Sequence, residues 1–235
     1  ASDLTGLAFC FRANVWNIGA EGQFVVGGLF GGWIGVATHG ATGNTVWVLP
    51  LMLVVGTLAG LLYALIPALL KVRLGVSEIL TSLMLVYVAE LLLDYMARGP
   101  LRDPAGFNFP QSVAFDEAAR LPYLMEGDTL HGGVAIALAV LALASLVLAR
   151  TLFGFTVRVV GASPRAARFA GFSDARLTVA VFAVSGAAAG LAGISEVAGR
   201  IGQLQPSISP GYGFTAIIVA FLGRLSPVGI LFAAL

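Results

Sequence analysis

The stretch FRANVWNIGAEGQ, Phe11 to Gln23, decides how this chain is to be read. It carries Arg12, Asn14, Asn17, Glu21, Gln23 and two glycines, Gly19 and Gly22, between the apolar runs LTGLAFC and FVVGGLFGGWIGV. At membrane depth, irregular backbone and a carboxylate survive only where protein buries them or a watery cavity faces them. One reading makes the stretch the break in an interrupted span, with the residues before Asn17 as its first half. The other makes it an interfacial turn between two short helices.

The rest of the composition supports the membrane setting. The chain is 58% hydrophobic and 11% charged, against about 25% charged for a soluble domain. Its mean hydropathy is +0.94. Several apolar runs approach the roughly 20 residues a helix needs to cross a bilayer. The formal charge of +1 argues against a nucleic-acid partner. A single cysteine, Cys10, excludes an intrachain disulfide and a cysteine metal cluster. His39 and His131 sit at loop or span edges, and no metal site is expected. The chain starts without Met and stops inside an apolar run, so a single membrane domain over 1–235, truncated at both ends, is expected.

Hydropathy places spans at 24–36, 46–70, 78–97, 132–149, 177–193 and 214–222, with a partial one from Val228. The 24–36 and 214–222 pieces are too short to cross alone. Lys71 and Arg73 mark one connection as cytoplasmic. Arg150, Arg158, Arg165, Arg168 and Arg176, opposed by Asp174 alone, mark 150–176 as another. The 98–128 loop sets Arg98, Arg102 and Arg120 against Asp103, Asp116, Glu117, Glu126 and Asp128, and falls outside, as does the short turn 38–44. Pro100, Pro104, Pro110 and Pro122 make that long loop irregular. It is either a plain surface loop or a docking surface for an external partner. Gly27, Gly28, Gly31, Gly32 and Gly35, with the pairs Gly56/Gly60 and Gly186/Gly190, give small faces for close helix packing.

Three further features could carry function. SEVAGRIGQLQPSISPGYGF, from Ser195 to Phe214, cannot be drawn as one helix. It is an outer loop, or a re-entrant segment whose Glu196 and Gln203 share a cavity with the first polar stretch. Glu90 and Asp94 lie four apart on one helix face, a conceivable proton relay. In RVVGASPRAARFAGFSDARL, Ser163 suits an N-cap, Pro164 the first helical position and Gly171 the stop. The helix between them is about two turns long and unstable alone. It either lies on its own bundle or docks a cytoplasmic partner. No nucleophile motif, P-loop or dinucleotide fingerprint appears, so any ATP that drives this protein binds to another chain.

These residues carry a resemblance. NIGAEGQ (17–23), GVSEILTSLML (75–85), GPLRDPAGFNFPQS (99–112), VRVVGASPRAARFAGF (157–172), and the run from SGAAAGLAGISEVAGRIGQL to SPGYGFTAIIVAFLGRLSPVGI resemble the membrane permease subunits of ABC importers. The likeness is to the branch for simple sugars, branched-chain amino acids and nucleosides, and within it to nucleoside-type and general sugar-type permeases. Ser77 stands where that pattern has Asn. Val86 stands where it has a polar residue, which bears on the pore lining.

The resemblance implies an all-α polytopic bundle with at least one broken helix. It implies a permease dimer on two ATPase subunits that hold ATP and Mg, fed by an extracytoplasmic solute-binding protein. The second permease is the same chain or a homologue. The coupling helix would be Ser163, Pro164, Arg165, Ala166, Ala167, Arg168, Phe169, Ala170 and Gly171. Asn17, Gly19, Glu21, Gln23, Glu196 and Gln203 are the expected pathway residues. The chain is thus expected to be no enzyme, but the translocation subunit for a nucleoside or sugar-like solute in a bacterial cytoplasmic (inner) membrane. A proton-coupled secondary transporter using its intramembrane Glu residues is the alternative.

Overall fold

The computed structural model describes residues 2–41, 45–123 and 131–233. Glu126 and Asp128 of the outer loop, and Asn44 of the short turn, lie outside them. The described chain is helical: α1 (Ser2–Arg12), α2 (Ala20–Ala37), α3 (Val48–Leu74), α4 (Glu78–Arg98), α5 (Gly133–Arg150), α6 (Leu152–Ala162), α7 (Pro164–Phe169), α8 (Asp174–Glu196), α9 (Tyr212–Leu222) and α10 (Pro227–Ala233). Among the described residues, four helical segments are long and apolar enough to cross a membrane: α3, α4, α5 and Asp174–Ile201.

The centre of the bundle is a glycine seam. A Cβ on Gly27 would collide with the backbone of Gly190, and one on Gly60 with that of Gly186 and Gly190. Gly56 meets the carbonyl of Gly27 and the side chain of Ile194. Backbones of α2, α3 and α8 therefore touch without side chains between them, which is how helices gain dispersion contact in lipid. The pairings fix direction. Gly56 lies beside Gly190 and Ala64 beside Gly186, so α3 and α8 are antiparallel. Gly27 beside Gly56 and Gly31 beside Met52 make α2 antiparallel to α3 as well.

One expectation changes here. Gly6 lies against Ser185 and Ala188, while the Cys10 thiol donates to the Val181 carbonyl at 3.3 Å. Helix α1 thus runs antiparallel to α8, and so to α2. The polar stretch reverses the chain between them instead of interrupting one span. Hydropathy shows that a segment is apolar but not which way it points, so it could not choose between the interrupted span and the turn between two short helices.

The broken element is at α8–α9. Helix α8 ends in a π turn, Val197–Ile201, which Gly202 closes at φ 73°. The chain then returns without helical structure through 203–210, and α9 begins beside Glu21. Phe221, near the other end of α9, stacks on Phe11 at 5.0 Å and on Trp16 at 5.8 Å. The outer loop supplies the bonds that the returning backbone lacks. Ser112 N–H donates to the Leu204 carbonyl (2.8 Å), Leu204 N–H to Ser112 Oγ (2.9 Å), Phe115 N–H to Gly202 (2.8 Å) and Leu121 N–H to Ala198 (2.9 Å). Buried backbone must be paired, and here it is.

The basic connections share one end of the bundle. Ala64 and Ala68 of α3, Leu148 of α5, Ala167 of α7 and Leu177 of α8 form one apolar cluster there. Helix α3 stops at Gly75 (φ 66°), whose N–H bonds the Lys71 carbonyl. Lys71 then pairs with Glu78 at the start of α4. At the other end, His39 sits 3.1 Å from Asp116 of the long loop. The stretch 150–176, expected as loop plus one short helix, contains α6 as well; its Thr156 and Arg158 kept its apolar content below a span signal.

Candidate functional site

Glu21 stands in the first turn of α2, 2% exposed, and accepts from the Gly213 N–H of α9 at 2.5 Å. Two helix N-termini therefore face one carboxylate, the arrangement that favours negative charge. Gly213 cannot be larger, since a Cβ there would run into the backbone of Glu21.

Glu21 opens onto a cavity of about 440 Å³ between α2, α4 and the returning segment. Tyr87, Glu90 and Asp94 of α4 line it, spaced i, i+3 and i+7 on one helix face. Ser207 and Ser209 line the opposite wall, and Val25, Leu91 and Ile208 supply apolar surface. Ser209 Oγ accepts from the N–H groups of Gly211 (3.1 Å) and Tyr212 (3.0 Å), capping α9. Asp94 is bonded to Arg98 at 2.7 Å. Glu90 has no ion pair or hydrogen bond among the described residues. It lies twelve residues past Glu78, about 18 Å along the helix axis. A concave site with apolar walls and a few convergent polar groups is what small-molecule binding requires.

The other expected pathway residues lie elsewhere. Asn17 and Gln23 are buried and lock onto each other. Asn17 Nδ2 donates to Gln23 Oε1 at 2.9 Å, and Gln23 Nε2 donates back to Asn17 Oδ1 at 3.0 Å. Asn17 also bonds Ser185 Oγ of α8 (2.9 Å) and accepts from Gly19 N–H (3.1 Å). This amide pair holds the α1–α2 reversal to α8. Gly19 lies against Ser82 with no room for a side chain. At the outer end, Glu196 faces Arg200 at 3.6 Å, and Gln203 bonds Gln111 of the long loop at 3.1 Å. Val86 is buried against Gly22 and does not line the cavity. Tyr87, Ser207 and Ser209 were missed, although a polar stripe at i, i+3, i+7 in an apolar span was a usable signal.

At the basic end, Ser163 Oγ accepts from Ala166 N–H at 3.3 Å and Pro164 opens the six-residue α7. Ala167 is fully buried; Arg165 and Arg168 are exposed, and Phe169 is 95% exposed. Ala170 follows as the C-cap, and Gly171 turns the chain at φ 84°. Arg168 reaches Asp174 at 3.4 Å, tying α7 to the start of α8.

Four apolar helices long enough to cross a membrane, with a returning half-helix beside a polar cavity, make the described residues a multi-pass helical bundle. Residues 5–235 match the family described as branched-chain amino acid transport system / permease component, and the chain belongs to that family. It is 41% identical to the glucose ABC transporter permease of Haloferax volcanii, over 99% of this chain and 63% of that relative. It is 34% identical to the guanosine ABC transporter permease of Bacillus subtilis, over 98% of this chain and 67% of the relative. The figure for a nucleoside ABC transporter permease of Lactococcus lactis is 29%, over 99% and 66%. The chain thus spans about two thirds of the length of these curated relatives. No solved structure matches it.

Proposed function

We propose that this chain is the translocation subunit of an ATP-binding-cassette importer for a nucleoside or sugar-like solute, working in a bacterial cytoplasmic membrane. The observation that carries the reading is α7. Its one buried side chain, Ala167, fixes it to the bundle, while Phe169, Arg165 and Arg168 stay exposed among the described residues. An exposed aromatic flanked by guanidinium groups is the composition of an interface anchor. The ATPase subunits, which would hold ATP and Mg, dock there. Their motion passes through Ala167 and the Arg168–Asp174 pair to α8, and so to the glycine seam.

The cavity forms one wall of the solute path, open along α4 towards a second permease, identical or homologous. Its carboxylates, hydroxyls and Tyr87 ring suit hydroxyl-bearing rings such as those of glucose and guanosine. The outer loop carries Phe107 and Phe109, 94% and 65% exposed, and faces the solute-binding protein.

The test uses the complete parent protein co-expressed with its ATPase, in wild-type form and with Arg165, Arg168 and Phe169 changed to Asp. Wild type should retain the ATPase on purification and drive ATP-dependent uptake of labelled glucose or guanosine; the triple variant should do neither. Uptake that persists without ATP and collapses with the proton gradient would overturn the proposal in favour of a proton-coupled transporter.

A further inference from the structure

We propose that Glu90 is the charge filter of the cavity, admitting uncharged and cationic solutes and turning away anionic ones such as phosphorylated sugars and nucleotides. This deepens the transport reading and rests on it for the direction and fate of the solute, but the field itself is a property of the cavity.

Among the described residues, three carboxylates line the cavity and no Lys or Arg does. Asp94 is held by Arg98, and Arg200, outside the cavity lining, faces Glu196 and donates to the Tyr212 hydroxyl. Glu21 faces the α9 N-terminus through the Gly213 N–H. Glu90 is left with no partner in the described residues and is exposed where α4 lines the cavity. A carboxylate in that position, bounded by the apolar walls of Val25, Leu91 and Ile208, focuses its field into the path instead of losing it to bulk water. Tyr87, one turn earlier on the same face, gives a ring for an uncharged solute to lie against, so the exclusion of anions does not rest on a blocked cavity.

Ser207 is an exposed wall residue, and the chain's native thiol, Cys10, is buried, so Ser207→Cys makes an addressable reporter. In membranes holding the assembled parent transporter, the reporter is titrated with two methanethiosulfonates, one carrying trimethylammonium and one sulfonate. Rates are normalised to a small free thiol. The cation should react faster by on the order of tenfold. Adding Glu90→Gln should bring the ratio close to one, and Glu90→Asp should keep it. A ratio that Glu90→Gln leaves unchanged, or one that favours the sulfonate in wild type, overturns the filter even if ATP-driven uptake is intact. A ratio that collapses as expected in a protein whose uptake ignores ATP upholds the filter and overturns the importer reading alone.

Discussion

At the scale of single residues, the polar stretch divides its labour. Asn17 and Gln23 satisfy each other and reach Ser185, so their role is to hold a turn where no water can. Asn17→Ala strands the Gln23 amide and the Ser185 hydroxyl together, and an unmet buried polar group costs about 1–3 kcal/mol. The purified variant should show a lower thermal midpoint in detergent, while wild-type stability in Asn17→Ala would mean the amide pair holds nothing. Glu21 was legible in the sequence because an ionisable side chain inside a span is expensive and needs a reason. The amides were not separable from it by type. What distinguishes them is which partner each meets, and those partners lie on α8 and α9, far along the chain. Glu196 and Gln203 lie away from the Glu21 cavity, where Arg200 and Gln111 meet them at the outer end.

At the scale of elements, α7 was the most legible piece. Its cap, its proline and its terminal glycine are local chemistry, and local chemistry is written in consecutive residues. Its isolation makes a clean contrast possible. Phe169→Asp alters a side chain that touches little within the chain, and exposed substitutions of that kind usually move stability by within about 0.5 kcal/mol. Ala167→Asp instead places a carboxylate in the apolar cluster with Val157 and Leu177, where burial without a partner is heavily penalised. Phe169→Asp should therefore leave the thermal midpoint unchanged and remove ATPase retention, whereas Ala167→Asp should lower both. Equal loss of stability in the two would show that Phe169 supports the fold and not a partner. The choice of a hairpin for α1 and α2 over an interrupted span, and the whole of α6, were illegible because direction and half-length helices leave no mark in a hydropathy profile.

At the scale of the molecule, burial is concentrated on α2 and α8. The most apolar windows of α3, α4 and α5 are 22%, 22% and 17% buried, while that of Asp174–Ile201 is 61% buried. Helix α8 is the axis, and the other spans turn most of their surface to lipid or to a partner. The same-type glycine pairs read from the sequence become a seam because α2 and α3 both meet α8 at glycine, and Gly190 is touched from both sides. Backbone offers no rotamer to move aside, so overpacking here cannot be relieved locally as it can in a side-chain core. Gly190→Val should separate α2 and α3 together and cost about 1–3 kcal/mol or more. By contrast, Leu143→Val on the exposed side of α5 should cost little. Measured as unfolding midpoints in detergent and as yield of folded protein in the membrane, the two should differ clearly. Equal midpoints would mean that the three helices are held by their side chains and that the seam is incidental. A large loss confined to Gly190→Val would mean that any motion α7 passes to α8 is felt by α2, Glu21 and the cavity at once, because no compliant side chain stands between them.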